Sequence, residues 1–244
     1  MGRLHAYGGS TLFLVGIILF AAGNIISTLI GFTATSIFTL LLLALPVIGL
    51  FLIFAASKTP KLPEKTLPAL TLFKVYIIIE LVAVGIVALY VLIAFGSIIG
   101  MSTDVVSSST RSLIGIIFFL GAIFILLAAF IAVFFSFVLK LLGRIRSGIT
   151  NNSLGPIPGI KAFTVLAYIS VGINILTGIL EVFAYSILHS MIFSIPYDLL
   201  VSFSTLLQSS VFSFIAILVT SAGVVIFLIV LNQFNKSLAH TGYR

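Results

Sequence analysis

The chain contains no cysteine, and this absence removes a large group of possible chemistries. Without a thiol there can be no structural disulfide, no iron–sulfur ligation, no thiolate nucleophile and no cysteine-based zinc site. Histidine is scarce as well, with three residues in all, and two of these, His5 and His240, belong to the polar tails. We therefore expect no haem held between two histidines of one chain.

Charge is the second shortage. Charged residues make up 7% of the 244 residues, and hydrophobic residues make up 61%. A soluble domain carries about 25% charged residues. Because the mean hydropathy is +1.39, most of the surface must face something other than water. The composition predicts a polytopic membrane protein in which residues 1–244 form a single domain.

The hydrophobic segments predict an all-α bundle of six transmembrane helices. The expected spans are about 10–30, 34–57, 69–95, 113–139, 161–189 and 210–231. Before the last span, residues 196–209 carry apolar side chains on one helical face and polar side chains on the other. This stretch is expected to form a short amphipathic helix in the membrane interface, with Pro196 in its first turn.

The basic residues lie almost entirely on one side of this expected topology. If both termini are cytoplasmic, the outer side keeps only Arg111. The inner side then carries eleven basic residues: Arg3, Lys58, Lys61, Lys65, Lys74, Lys140, Arg144, Arg146, Lys161, Lys236 and Arg244. This bias is the one that orients helices in a membrane, and it explains the net charge of +7 without nucleic acid. We expect a multi-pass protein of the cell membrane, with both termini cytoplasmic and lipids as neighbours.

Small residues recur in the first and last spans at spacings that allow two helices to approach closely. The first span has a seam in which glycine repeats every seven residues, followed one turn later by serine: Gly9, Gly16, Gly23 and Ser27. The last span has a seam of its own: Ser213, Ala216, Thr220 and Gly223. Both seams predict helix packing rather than a ligand site.

One face of the fifth span is polar, although the segment is long enough to cross a bilayer. Its residues follow one another at spacings of four, three, four and four: Ser170, Asn174, Thr177, Glu181 and Tyr185. These steps keep the five side chains, here called the polar stripe, on a single helical face. Because lipid cannot satisfy such groups, the stripe should face protein or water.

The third span carries a second intramembrane carboxyl group, Glu80, with Tyr76 one turn away on the same face. Ionisable residues at this depth are costly and often functional. Three readings remain open. In the first, Glu181 joins helices together with the polar groups beside it. In the second, Glu80 and Glu181 form a proton or cation site on an internal path. In the third, one glutamate meets a cation on a neighbouring subunit.

Most known types of catalytic site are excluded because the chain lacks the residues or motifs that they need. The chain has no HExxH, GxSxG, P-loop or dinucleotide fingerprint. We therefore expect no enzymatic activity, no cofactor and no metal site. The favoured function is a non-catalytic membrane subunit that packs against other integral membrane proteins, or against copies of itself, in a larger assembly. The alternative is a small ion- or proton-coupled transporter or channel that uses Glu80 and Glu181.

The topology can be tested with reporters of membrane sidedness. A reporter fused after Arg244, or inserted in the predicted loop between Lys140 and Lys161, should report the cytoplasm. One inserted between Ser97 and Arg111 should report the exterior, because the basic residues hold the other segments inside. Glycosylation of the Asn151 or Asn235 sequon in a competent host would show that the orientation is reversed.

Overall fold

A computed structural model of the chain describes residues 6–30, 34–58, 62–101, 108–151, 156–157, 159–191 and 197–239. Six long helices account for nearly all of these residues: α1 Thr11–Ile30, α2 Ala34–Ala56, α3 Leu62–Met101, α4 Ser108–Thr150, α5 Ile160–Met191 and α6 Tyr197–Ala239. Each of the six contains a stretch long and apolar enough to cross a membrane. The predicted all-α class and the six membrane-crossing helices are confirmed at this level of length and composition.

Several helices extend beyond the spans that hydropathy predicts. α4 continues to Thr150, although the sequence predicts a loop from residue 140. In its last turns the hydroxyls of Ser147 and Thr150 donate to the carbonyls of Arg144 and Arg146, each at 3.0 Å. The difference arises because hydropathy marks where a helix leaves hydrocarbon, whereas backbone hydrogen bonding can continue into water.

The predicted interfacial segment 196–209 is part of α6 where the structure describes it, from Tyr197 onward. No proline or glycine occurs between Tyr197 and Thr220, so the backbone has no reason to end a helix near residue 209. α6 accordingly has no break at the predicted boundary between the two helices. The location of residues 196–209 at a membrane surface stays a prediction.

The chain divides into two compact units, Met1–Phe73 with Leu141–Arg244, and Lys74–Lys140. In the first unit α6 is the central helix: it packs most extensively against α1 and next against α5, while α1 also packs against α2. The buried core of this unit is a cluster of apolar side chains from α1, α2 and α6: Phe13, Ile17, Leu50 and Val230. In the second unit many apolar side chains are exposed, among them Ile86 and Leu126.

α1 and α6 approach each other at backbone distance along the two seams of small residues. A Cβ atom on Gly23 would lie 2.6 Å from the backbone nitrogen of Thr220 and 2.8 Å from the carbonyl oxygen of Ala216. A Cβ atom on Gly223 would lie 2.7 Å from the backbone nitrogen of Phe20. Because these neighbours are backbone atoms, no rotation of a side chain could relieve the overlap. Only glycine at these two positions allows the helices to come this close.

Aromatic side chains fill the space beside this contact. Gly16 faces α6 side chains, since a Cβ atom there would lie 2.9 Å from Ile226 and 3.0 Å from Phe227. The Phe227 ring makes edge contacts with Phe13 and Phe20, at centroid distances of 5.5 and 6.1 Å. Edge-to-face pairs of this kind contribute about 0.5–1.5 kcal/mol each beyond the burial of their surface. Rings and glycines together fix the register of α1 on α6.

The close contact at Gly23 predicts an unusual response to alanine. Glycine to alanine in an open stretch of helix normally stabilises by about 0.5–1 kcal/mol. Gly172 of α5 provides that control, because nothing lies within 4 Å of a Cβ built there. Gly172→Ala should leave the melting temperature in detergent unchanged or raise it. Gly23→Ala should lower the melting temperature, because the added methyl group overpacks the interface. The expected loss of stability is about 1–3 kcal/mol.

An equal response of the two variants would contradict this account of the α1–α6 contact. Gly223→Ala offers an independent repeat, since its added methyl group would meet the backbone of Phe20 from the opposite helix.

Candidate intramembrane polar site

All five positions of the polar stripe lie within α5, which runs from Ile160 to Met191. Asn174 and Thr177 are exposed, whereas Ser170 and Glu181 are half-buried. The side chain of Tyr185 lies outside the described part of the structure. The stripe therefore follows one face of a continuous helix, and its two central residues are accessible from outside the chain.

The structure brings Asn174 and Thr177 to a cavity of about 270 Å³ between α1, α5 and α6. We call this space the polar cavity. Six of its seven lining residues carry a hydroxyl or an amide, and the seventh is Ile217: Asn24, Ser27, Asn174, Thr177, Thr220 and Ser221. None of the seven is charged. The cavity thus joins two central residues of the stripe to the seam residues Ser27 and Thr220, and to two residues that the sequence analysis did not single out, Asn24 and Ser221.

Hydrogen bonds within the helices determine what two of these side chains can offer to the cavity. The amide nitrogen of Asn24 donates to the carbonyl of Phe20 at 2.7 Å, which leaves its Oδ1 as an acceptor. The hydroxyl of Thr177 donates to the carbonyl of Ile173 at 2.9 Å, which leaves the lone pairs of its oxygen. Both side chains can therefore accept hydrogen bonds from water or from a polar group placed in the cavity.

The glycine contact and the polar cavity share a residue. A Cβ atom on Gly23 would overlap Oγ1 of Thr220, and the same Thr220 lines the cavity. Ser27 lies four residues after Gly23 on α1, one turn along the same face. The small residues thus have two effects, because they let the backbones touch at Gly23 and leave an unfilled space one turn beyond it.

The remaining residues of the two seams lie outside this space. Ser213 is half-buried in α6, and Gly9 lies in the turn that precedes α1. Gly178 of α5 also faces α6, because a Cβ atom built on it would lie 2.7 Å from the ring of Phe214 and 3.1 Å from Ile217. Glycine thus supports the α5–α6 contact as well, at a position that the sequence analysis did not select.

Glu181 lies one helical turn beyond Thr177 and does not line the polar cavity. One turn of an α-helix corresponds to about 5.4 Å along its axis. Among the described residues of the stripe, Asn174 and Thr177 are the two that line it, while Ser170 and Glu181 lie one turn to either side. The carboxyl group is thus a neighbour of the cavity and not one of its walls.

Glu80 and Tyr76 belong to the second unit, where they interact with each other on α3. A spacing of four residues places the two side chains on one face of α3, where the Tyr76 hydroxyl and the Glu80 carboxyl group are close enough to interact. Glu80 therefore has a polar partner within its own helix.

Two asparagines near the end of α6 hold neighbouring segments, and the sequence analysis did not identify them. The Asn235 Oδ1 atom accepts a hydrogen bond from the backbone nitrogen of Ile157 at 2.9 Å. The hydroxyl of Thr164 on α5 approaches Oδ1 of Asn232 at 3.4 Å. Hydropathy assigns residues 232–235 to a polar tail, but their spacing of three is the signal that both lie on one face of a continuing helix.

The arrangement suits hydrogen bonding better than covalent chemistry. No group of three or more histidine, cysteine, aspartate or glutamate residues within the described ranges could hold a metal ion. The polar cavity offers neutral hydroxyl and amide groups, which can hold water, join helices or bind a polar side chain from outside.

No protein-family model, curated protein or solved structure matches this chain. The function must therefore be argued from the site itself.

The hydration of the polar cavity can be tested directly because the chain has no cysteine of its own. Thr177→Cys and Ser221→Cys would each place one thiol in the cavity wall. Both should react with a small charged thiol reagent on the order of tenfold faster than Leu180→Cys, whose thiol would lie on an apolar face where the thiolate is disfavoured. Leu180 is 60% exposed on the same helix, which makes it a matched control.

Reaction rates of the two cavity variants equal to that of Leu180→Cys would mean that the cavity contains no water. The readout is the rate of labelling of the purified full chain in lipid vesicles, followed by intact mass.

Proposed function

We propose that this protein is a non-catalytic multi-pass subunit of the cell membrane that packs against another integral membrane protein through the polar stripe of α5. The observation that carries the proposal is the exposure of Asn174 and Thr177 at the centre of a membrane-crossing helix. Their neighbours on α5 are exposed apolar side chains, with Leu176 at 56% and Leu180 at 60% exposure. The part of the Asn174 amide that does not face the polar cavity therefore meets hydrocarbon unless another polar group covers it.

The energetics favour a partner helix as that cover. A buried amide without a hydrogen bond costs on the order of 1–3 kcal/mol in proteins. Each hydrogen bond between helices in a membrane contributes about 0.6–2 kcal/mol. A partner that presents one or two polar side chains to Asn174 and Thr177 therefore binds with more specificity. The free energy needed to bury those side chains is modest. A second copy of this chain is one such partner, and a different membrane subunit is another.

The proposal includes an orientation, with both termini in the cytoplasm. The support is the distribution of basic residues, of which only Arg111 falls on the opposite side. In this orientation the ends of α2, α4 and α6, which carry Lys58, Arg146 and Lys236, face the cytoplasm.

A second candidate function, a small ion- or proton-coupled transporter or channel, is favoured by the polar cavity. Its acceptor oxygens come from three membrane-crossing helices, between which water or an ion could be held. Glu181 lies one turn away and would supply the titratable group. Glu80 would have to contribute from the second unit.

Variants of Glu181 distinguish the two functions. Glutamine reproduces the hydrogen bonds of a neutral glutamic acid but cannot lose a proton. If the protein is a packing subunit, Glu181→Gln should keep the native-membrane complex intact, and Glu181→Leu should weaken it by about threefold to thirtyfold, the equivalent of one interhelical hydrogen bond. The measurement is the amount of partner that remains bound during purification from native membranes.

Two further measurements complete this test. Asn174→Leu should weaken the complex to a similar extent, while the matched variant Leu176→Ala on the adjoining apolar face should not. Flux of protons or cations should be measured in vesicles for the same proteins. Loss of flux in Glu181→Gln with an intact complex would contradict the subunit function and support the transporter.

A further inference from the structure

A second cavity of about 270 Å³ lies in the first unit, and almost all of its wall is apolar. We call it the apolar pocket. Six parts of the chain contribute to it, represented by one residue each: Tyr7 before α1, Phe13 of α1, Ile53 of α2, Leu70 of α3, Ile145 of α4 and Phe234 of α6. The wall includes the buried core residues Phe13 and Leu50 together with half-buried side chains such as Ile145. The pocket therefore reaches from the core of the unit to its surface.

The residues of the apolar pocket lie near one end of the helices. Ile53 is three residues from the end of α2, Ile145 is five from the end of α4, and Phe234 is five from the end of α6. Thr66 is four residues after the start of α3. At about 1.5 Å per residue, each of these positions is within about 8 Å of a helix end. By the predicted spans, Ile53 and Leu70 lie inside the membrane near its edge, whereas Ile145 and Phe234 lie just beyond it, so the pocket is expected to cross the boundary between acyl chains and headgroups.

Two basic residues, Lys58 and Arg146, are close in the chain to residues that pack at this end of the pocket. Lys58 follows α2, and its Nζ atom lies 4.3 Å from the centroid of the Phe54 ring, which packs against the core cluster. Arg146 follows the pocket residue Ile145 directly and is exposed. The local charge favours an anion beside the mouth of an apolar space.

The size and chemistry of the pocket define its occupant. An apolar cavity of about 150 Å³ already stays dry and takes up benzene, so water is a poor filler for one of this volume. In a bilayer the hydrocarbon at hand is the acyl chain of a lipid. Because the surrounding charge is positive, we propose that the apolar pocket binds one acyl chain of an anionic phospholipid, with the phosphate of its headgroup held by Lys58 and Arg146. In the orientation proposed above, this site faces the leaflet in which anionic lipids are enriched.

This site does not involve α5, so it is independent of the proposed contact with a partner subunit. The test uses the purified full chain with phosphatidylglycerol as the probe and phosphatidylcholine of identical acyl chains as its control. Native mass spectrometry counts the lipids that remain bound. One phosphatidylglycerol should be retained per chain, in preference to phosphatidylcholine.

Two pairs of variants separate the acyl chain from the headgroup. Ile145→Trp should fill the pocket and abolish retention, whereas Ile125→Trp, at an exposed position of the same helix, should not. Ile145→Phe is a milder second variant if the indole prevents folding. Arg146→Gln should weaken retention about fivefold, the effect of one basic residue near an anionic surface, whereas Lys161→Gln on α5 should not.

Each remaining outcome would overturn the proposal. Equal retention of the two lipids would remove the role of charge. Retention that survives both Ile145→Phe and Ile145→Trp would place the lipid elsewhere. Equal effects of Arg146→Gln and Lys161→Gln would show general attraction to an anionic surface instead of a site. A polypeptide bound in place of the lipid, and lost in Ile145→Trp, would assign the pocket to a partner's side chains.

Discussion

The contact between the backbones of α1 and α6 is the constraint on which the rest of the first unit depends. Between transmembrane helices the hydrophobic effect is weak, because lipid tails are as apolar as the side chains. Association must then come from close packing, and close packing needs positions without a Cβ atom. Gly23 and Gly223 supply these positions from opposite helices. Once they touch, α6 becomes the helix on which α1 and α5 both pack.

The same small residues that permit this contact also leave the polar cavity. A large apolar residue at Ser27 or Ser221 would fill the space with hydrocarbon. Serine and threonine are small enough to leave a gap, and their hydroxyl groups make that gap polar. The Asn24 amide, bonded to the Phe20 carbonyl, is held in place and adds an acceptor. The small side chains thus explain both the close packing of the helices and the polarity of the cavity.

The helices and the polar stripe could be predicted from the sequence, but the surroundings of the stripe could not. Hydropathy identifies six helices because the cost of placing polar groups in lipid is large and local. The spacing of Asn174 and Thr177 places them on one face for the same local reason. Their neighbours Asn24 and Ser221 depend on which helices are adjacent, and periodicity within one helix carries no information about adjacency. Asn235 was missed for a related reason, because hydropathy cannot distinguish a polar tail from a helix that continues beyond the membrane.

The polar cavity is neutral, and this makes packing against a partner easier to reconcile with the structure than transport. A cation that leaves water is stabilised by a compensating negative charge, and the lining of this cavity has no charged residue. The nearest carboxyl group on the stripe, Glu181, is one turn away, so a transport site would need α5 to move by about 5.4 Å or a chain of water molecules to connect them. Packing against a partner needs neither, because hydroxyl and amide groups already exposed at Asn174 and Thr177 bond to another helix where they stand. The proposed assembly therefore requires fewer changes of this geometry than transport, which needs either a movement of α5 or bridging water.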